Sequence, residues 1–351
     1  VFQSVREYAE EHRSGYYQVW AWAGLAAADI ALGEVAAAAE ALGAAQTLRA
    51  QVGERALELQ LAWTEGDLAL RRSELAAAEQ HYERALALWR DGELARARVL
   101  ALLGLARVDL ARPRVSRALD RAQEAAAIAA RGEIGSLLPL ARLIEAEALA
   151  AAGDADGALA RLDEASAAFG AWRSGPGEAR CALLTARLLG GKAPAALLTR
   201  AAALTVGHRD ELIGWLREEA RWVAPLLAPA LGREGVASVL VDLGEMAVGP
   251  LIEALGGRQT RLGAIHALAR TGDVRARRPL QRWSRRGGGA GGRGRGARCH
   301  RRAGATGAAR PAPRALRRPA RRWASGRRGV DDPEGPRPGQ VVAAASPGWA
   351  A

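Results

Sequence analysis

"GDLALRRSELAAAEQHYERALAL", residues 66–88, decides the fold. It closes one apolar helix, passes through the polar "RRSE", and enters a second helix. Leu75, Ala78, Tyr82, Ala85 and Leu86 then share one face at helical spacing. The small Ala78 lets the two helices approach closely, and the larger residues fill the seam between them.

Working outward, the same shape recurs. "ADIALGEVAAAAEAL" (28–42), "VDLARPRVSRALDRAQEA" (108–125) and "AEALAAAGDADGALARLDEA" (146–165) each repeat it. Ala38, Ala78, Ala118 and Ala158 fall at one equivalent position, forty residues apart. "ARLLGGKAPAALLTRAAAL" (186–204) is a looser fifth copy, with Ala196 near the same place, and Pro113 interrupts the third. One hairpin cannot bury its own apolar stripe, so neighbours must stack. The expected architecture is all-α, an α-solenoid of helical hairpins with a concave face.

These copies resemble tetratricopeptide repeats, in the longer variety found in bacterial signalling regulators, over about residues 16–205. A second repeat type follows. "VASVLVDLGEMAVGPLIEALGGRQTRLGAIHALARTGDVRARRPLQRW" (236–283) is similar to a short HEAT-type repeat. There Pro250 is expected to start a helix, Gly256 and Gly257 to close it, and Arg261–Arg270 to form the next. The HEAT-like family includes bilin lyases, but no residue here matches a lyase site. The expected domains are 1–205 (tetratricopeptide-like), 206–284 (HEAT-like) and 285–351, an arginine-, glycine-, alanine- and proline-rich tail read as disordered.

The formal net charge of +12 belongs to that tail. From Arg285 onward sixteen arginines face three acidic residues, so the preceding 284 residues carry about −1. A basic arm of this kind could bind nucleic acid through phosphates. Arginine–glycine binding segments interleave aromatics for stacking, however, and Trp323 stands nearly alone. The competing reading is a shifted frame. Read one base later, "GVDDPEGPRPGQVVAAASPGW" (329–349) must place a basic residue at two positions and permits a run of leucines after the second. That peptide resembles the first helix of the winged helix-turn-helix domain in bacterial transcriptional activators of the antibiotic-regulatory-protein, or BTAD, type. The resemblance implies a signalling ATPase upstream, repeats like these in the centre, and a DNA reader downstream. DNA contact would then run through a domain missing from, or shifted in, this chain.

Composition narrows the rest. Lys192 is the sole lysine beside forty-nine arginines, a bias that points to a GC-rich bacterial genome. The chain opens on Val1 and its one methionine is Met246, so upstream sequence is expected to be missing. Cys181 and Cys299 make neither a disulfide framework nor a zinc site, which favours a reducing cytoplasm. No apolar run is long enough for a membrane span.

No catalytic, cofactor-binding or metal-ligating residue is expected. His12, His81, His208 and His266 lie in different repeats, and Cys181 reads as a small core residue. "LGGKAPAALL" around Gly190, Gly191 and Lys192 lacks phosphate-loop spacing. Arg71–Arg72 and Glu218–Glu219 read as solvated faces. Partner-binding candidates on the concave face are Trp20, Trp22, Trp63 and Tyr82, with Trp89 beside them, against the alternative that they pack between repeats. The expected function is a non-enzymatic, protein-binding regulatory segment of a transcriptional regulator. The alternatives are a stand-alone scaffold for protein contacts, or nucleic-acid binding through the tail.

Overall fold

The computed structural model describes residues 2–12, 14–52, 55–88, 95–131 and 134–286. The tail from residue 287 onward, Trp89 and Cys299 lie outside the described residues. Every regular element among the described residues is helical.

Helix α1 (Phe2–Glu11) precedes five hairpins: α2 (Gly15–Leu32) with α3 (Val35–Arg49), α4 (Arg55–Arg71) with α5 (Leu75–Leu88), α6 (Ala95–Ala111) with α7 (Val115–Arg131), α8 (Leu138–Ala151) with α9 (Ala155–Ala171), and α10 (Gly175–Leu189) with α11 (Ala195–Gly207). Shorter helices follow: α12 (Arg209–Glu218), α13 (Ala220–Leu227), α14 (Val236–Asp242), α15 (Glu245–Ala254) and α16 (Arg261–Thr271). Residues to Asp273 make one compact unit, and α17 (Arg277–Arg286) belongs to a second. The expected boundary at residue 205 falls inside the first unit.

The hairpin turn is one device, used in the first four hairpins and again at Arg173 between α9 and α10. Gly33, Ser73, Pro113 and Gly153, forty residues apart, all take positive φ just past the first helix (80°, 60°, 28° and 88°). The next amide reaches back five residues in each: Glu34 to Asp29, Glu74 to Ala69, Arg114 to Asp109 and Asp154 to Leu149, at 2.8–2.9 Å. This is the Schellman closure, which satisfies helix-end carbonyls and needs a left-handed residue. Glycine takes that conformation without steric cost. Pro113 therefore does not interrupt the third hairpin; the stacking of α6 on α7 and of α7 on α8 holds the turn in place. Glycine serves the same turn at 33 and 153, so Pro113→Gly should keep the hairpin and leave helix content unchanged, which circular dichroism checks.

Close packing follows from the alanines. Ala38, Ala78, Ala118 and Ala158 each stand four residues into the second helix and have no exposed surface. Ala196 departs from this pattern: it is exposed, because α11 begins after a three-residue 3-10 turn and meets α10 in another register. The first helices also pack on one another, α2 on α4, α4 on α6, α6 on α8 and α8 on α10. Each second helix sits between the first helices on either side. The first helices therefore line the tighter, inner side of the stack.

In the second repeat region the expected helices form with one difference. Pro250 lies inside α15 rather than at its start. It falls in the second turn of a ten-residue helix, where its missing N–H and its ring cost a single early bond. Gly256 and Gly257 close α15 by donating to Glu253 and Ala254.

Candidate functional site

The sequence candidates divide by burial. Trp20 is 6 % exposed, with its ring centroid 5.3 Å from that of Phe2 on α1. Tyr82 is 1 % exposed. Neither presents a surface to a partner, which corrects their assignment to an open concave face. Trp22 is half-buried with Arg6 5.0 Å above its ring, and Trp63 is half-buried beside Ala62, Ala85 and Ala101.

Tyr82 is a structural wedge. Its ring stands between Gly66 on α4 and Gly104 on α6, and a methyl group at either glycine would overlap it. Its hydroxyl donates to Asp67 Oδ1 at 2.5 Å. Burial, with the Asp67 charge beside it, pushes the Tyr82 hydroxyl well up, so it stays protonated. The same arrangement recurs where Phe2 covers Gly24 and Phe169 covers Gly177.

Below Tyr82 runs a line of charge. Asp67, Arg107, Glu147 and Arg187 occupy one level of α4, α6, α8 and α10, forty residues apart. Arg71 and Arg180 flank it, with Arg180 3.9 Å from Glu147. Helices α12 and α13 lie across this line. The backbone of α12 reaches the end of α2, where Gly214 sits against Ala31 O and a methyl group on it would stand 3.0 Å from Gly33 N. Glu218 pairs with Arg71, whose side chain is only 8 % exposed, and stands 4.0 Å from Arg107. Arg180 lies 5.1 Å over Trp215, and Arg187 4.7 Å over Trp222. The two tryptophans meet edge-on at 5.9 Å, and the Trp222 indole N–H donates to Glu219. Arg71 and Glu218 are thus partners across the stack, not residues of separate solvated faces. The sequence signal for this site was present in the 67–107–147–187 spacing, a charge recurring at one repeat position.

The electrostatics are set by competition. Burial pushes the Asp67 and Glu147 carboxyls up. The Tyr82 hydroxyl, Arg107 and Arg71 pull Asp67 back, and Arg180 and Arg107 pull Glu147 back, without cancelling the burial effect. A carboxyl raised in the folded state holds its proton more tightly there than in the unfolded chain. Its contribution therefore favours folding at low pH and is lost as pH climbs from the ordinary carboxylate value through the raised one. Removing the charge with Asp67→Asn or Glu147→Gln should flatten this decline between about pH 4 and neutrality. Melting temperatures of parent and variants across that range test it; an unchanged slope in both variants refutes it.

Other titratable groups take no part. Cys181 is 1 % exposed, and burial pushes its thiol up to about 12. It should resist alkylation in the native chain and react only on unfolding, which mass spectrometry of its peptide would show. His12 is exposed and stacked on Tyr8, His81 stands 3.0 Å from Glu65, His208 packs on Gly175, and His266 is exposed. Among the described residues no group of three or more His, Cys, Asp or Glu could hold a metal ion, and no helix is long and apolar enough to cross a membrane.

No protein-family model matches the chain, and no curated protein matches it. Among solved structures it is similar to the apo form of RapI, at 12 % identity and a TM-score of 0.44, over 71 % of this chain and 93 % of that one. The class defined by the helices themselves is an α-solenoid of helical hairpins.

Proposed function

We propose that the chain is a non-enzymatic, protein-binding regulatory segment that takes a helical partner on the inner face of its hairpin stack. One observation carries the reading: the Asp67, Arg107, Glu147 and Arg187 line along helices that are otherwise apolar there. Partly buried charges cost desolvation, and apolar residues of similar size would hold a stack together at least as well. Charge kept at one level of four successive hairpins serves recognition and register. Peptides selected by display against the full chain, then mapped by hydrogen exchange, test this. Protection should appear on α4, α6, α8 and α10; protection confined to α3, α5, α7 and α9 counts against it.

The regulatory setting we propose is bacterial transcription, with partner or effector binding on the repeats relayed to a DNA-reading domain. This rests on the winged-helix resemblance of the shifted frame over residues 329–349. The genomic DNA decides it. A winged helix encoded one base later supports the reading, and an unshifted frame without one leaves a stand-alone scaffold.

A further inference from the structure

We propose that helices α12 and α13 are an internal occupant of the inner face, and that the partner this face accepts is an amphipathic helix carrying adjacent carboxylates flanked by tryptophan. The inference rests on the reading of the inner face as a docking surface, and adds who holds it and what competes.

Three observations carry it. The first is charge. On the face, Arg71, Arg107, Arg180 and Arg187 outnumber Asp67 and Glu147 by two, and the overlying segment brings Glu218, which pairs with Arg71 and stands 4.0 Å from Arg107, while Glu219 beside it accepts from the Trp222 indole. The second is recognition geometry. Arg180, which also stands 3.9 Å from Glu147, and Arg187 each lie over one indole, Trp215 and Trp222, so arginines of the face are used on the aromatic faces of the segment as well as on its carboxylate. The third is the seat of α12. Gly214 lets its backbone press on the end of α2, and the same helix reaches Arg71 on α4 and Arg107 on α6. One short helix therefore spans three successive hairpins, as a bound peptide would. Alanine at 214 would favour an isolated helix by about 1 kcal/mol, so the glycine is there for the approach.

The segment is tethered, so it competes at an effective concentration of roughly millimolar. An added helix of the same chemistry should bind poorly until the tethered one is dislodged. The test uses the full chain and a fluorescent peptide of residues 209–227, "RDELIGWLREEARWVAPLL". Gly214→Leu should bind it at least about tenfold more tightly than the parent does. Adding Arg71→Glu and Arg180→Glu to Gly214→Leu should remove most of that gain. A second release variant, Glu218→Arg with Glu219→Arg, acts on charge alone and should bind the peptide as Gly214→Leu does.

Hydrogen exchange on α4 to α10 accompanies each measurement. Equal affinity in parent and release variants overturns the proposal, as does peptide protection on any other helices. Loss of protection across α4–α10 in both release variants also overturns it, since the segment would then be part of the core. If display peptides protect the inner face while α12 stays in place, the docking reading survives and the internal-occupant proposal alone fails.

Discussion

Tyr82→Ala is expected to lower stability by about 3–5 kcal/mol, the usual cost of truncating a large buried aromatic. The ring is 1 % exposed and closed in by glycines on two different hairpins. Removing it leaves a cavity that α4 and α6 can fill only by moving together, and α5 stands between them as their shared neighbour. Tyr82→Phe separates packing from polarity. It keeps the wedge but deprives Asp67 of the hydroxyl that donates to it, and should cost about 1–2 kcal/mol. Urea denaturation followed by circular dichroism measures both. A loss below about 1 kcal/mol for the alanine variant would show that the slot collapses freely.

Gly104→Val should also destabilise, though less. Its new Cβ would overlap the Tyr82 ring, and the ring has no free side to turn toward because Gly66 closes the other. Overpacking of this kind costs about 1–3 kcal/mol, despite any gain from replacing a helical glycine. The two variants should be strongly non-additive: Gly104→Val in the Tyr82→Ala background places bulk where the cavity opened, and should recover at least about 1 kcal/mol. Simple additivity in that double variant would mean that residue 104 and the ring do not share the slot.

The forms of legibility differ along the chain. The hairpins could be read because their determinants are local. Alanine at 38, 78, 118 and 158, with turn residues five positions earlier, sets helix, turn and helix within some fifteen residues. Pro113 misled because a turn residue was judged by its own preference, whereas α6 and α7 form on either side of it and pack on their neighbours as the other hairpins do. Tyr82 misled for a related reason: an aromatic in a repeat seam looks the same in sequence whether it faces a partner or a glycine slot. The glycines at 66 and 104 were the cue, since they carry no turn and interrupt good helix. The second half of the site was beyond local reading. Arg71 and Glu218 are separated by 147 residues, and nothing around either names the other.

What the amino-acid order settled alone was therefore the all-helical hairpin array and its forty-residue period, through short-range propensity, capping and apolar spacing. Only the tertiary arrangement decided that α12 and α13 pack across the charged line of the first helices, that Arg71 is buried against Glu218, and that Trp20 and Tyr82 belong to the interior. The physical reason is additive rotation. Each hairpin turns slightly on the last, so the curvature that brings residue 214 to the end of α2 exists only after several have stacked.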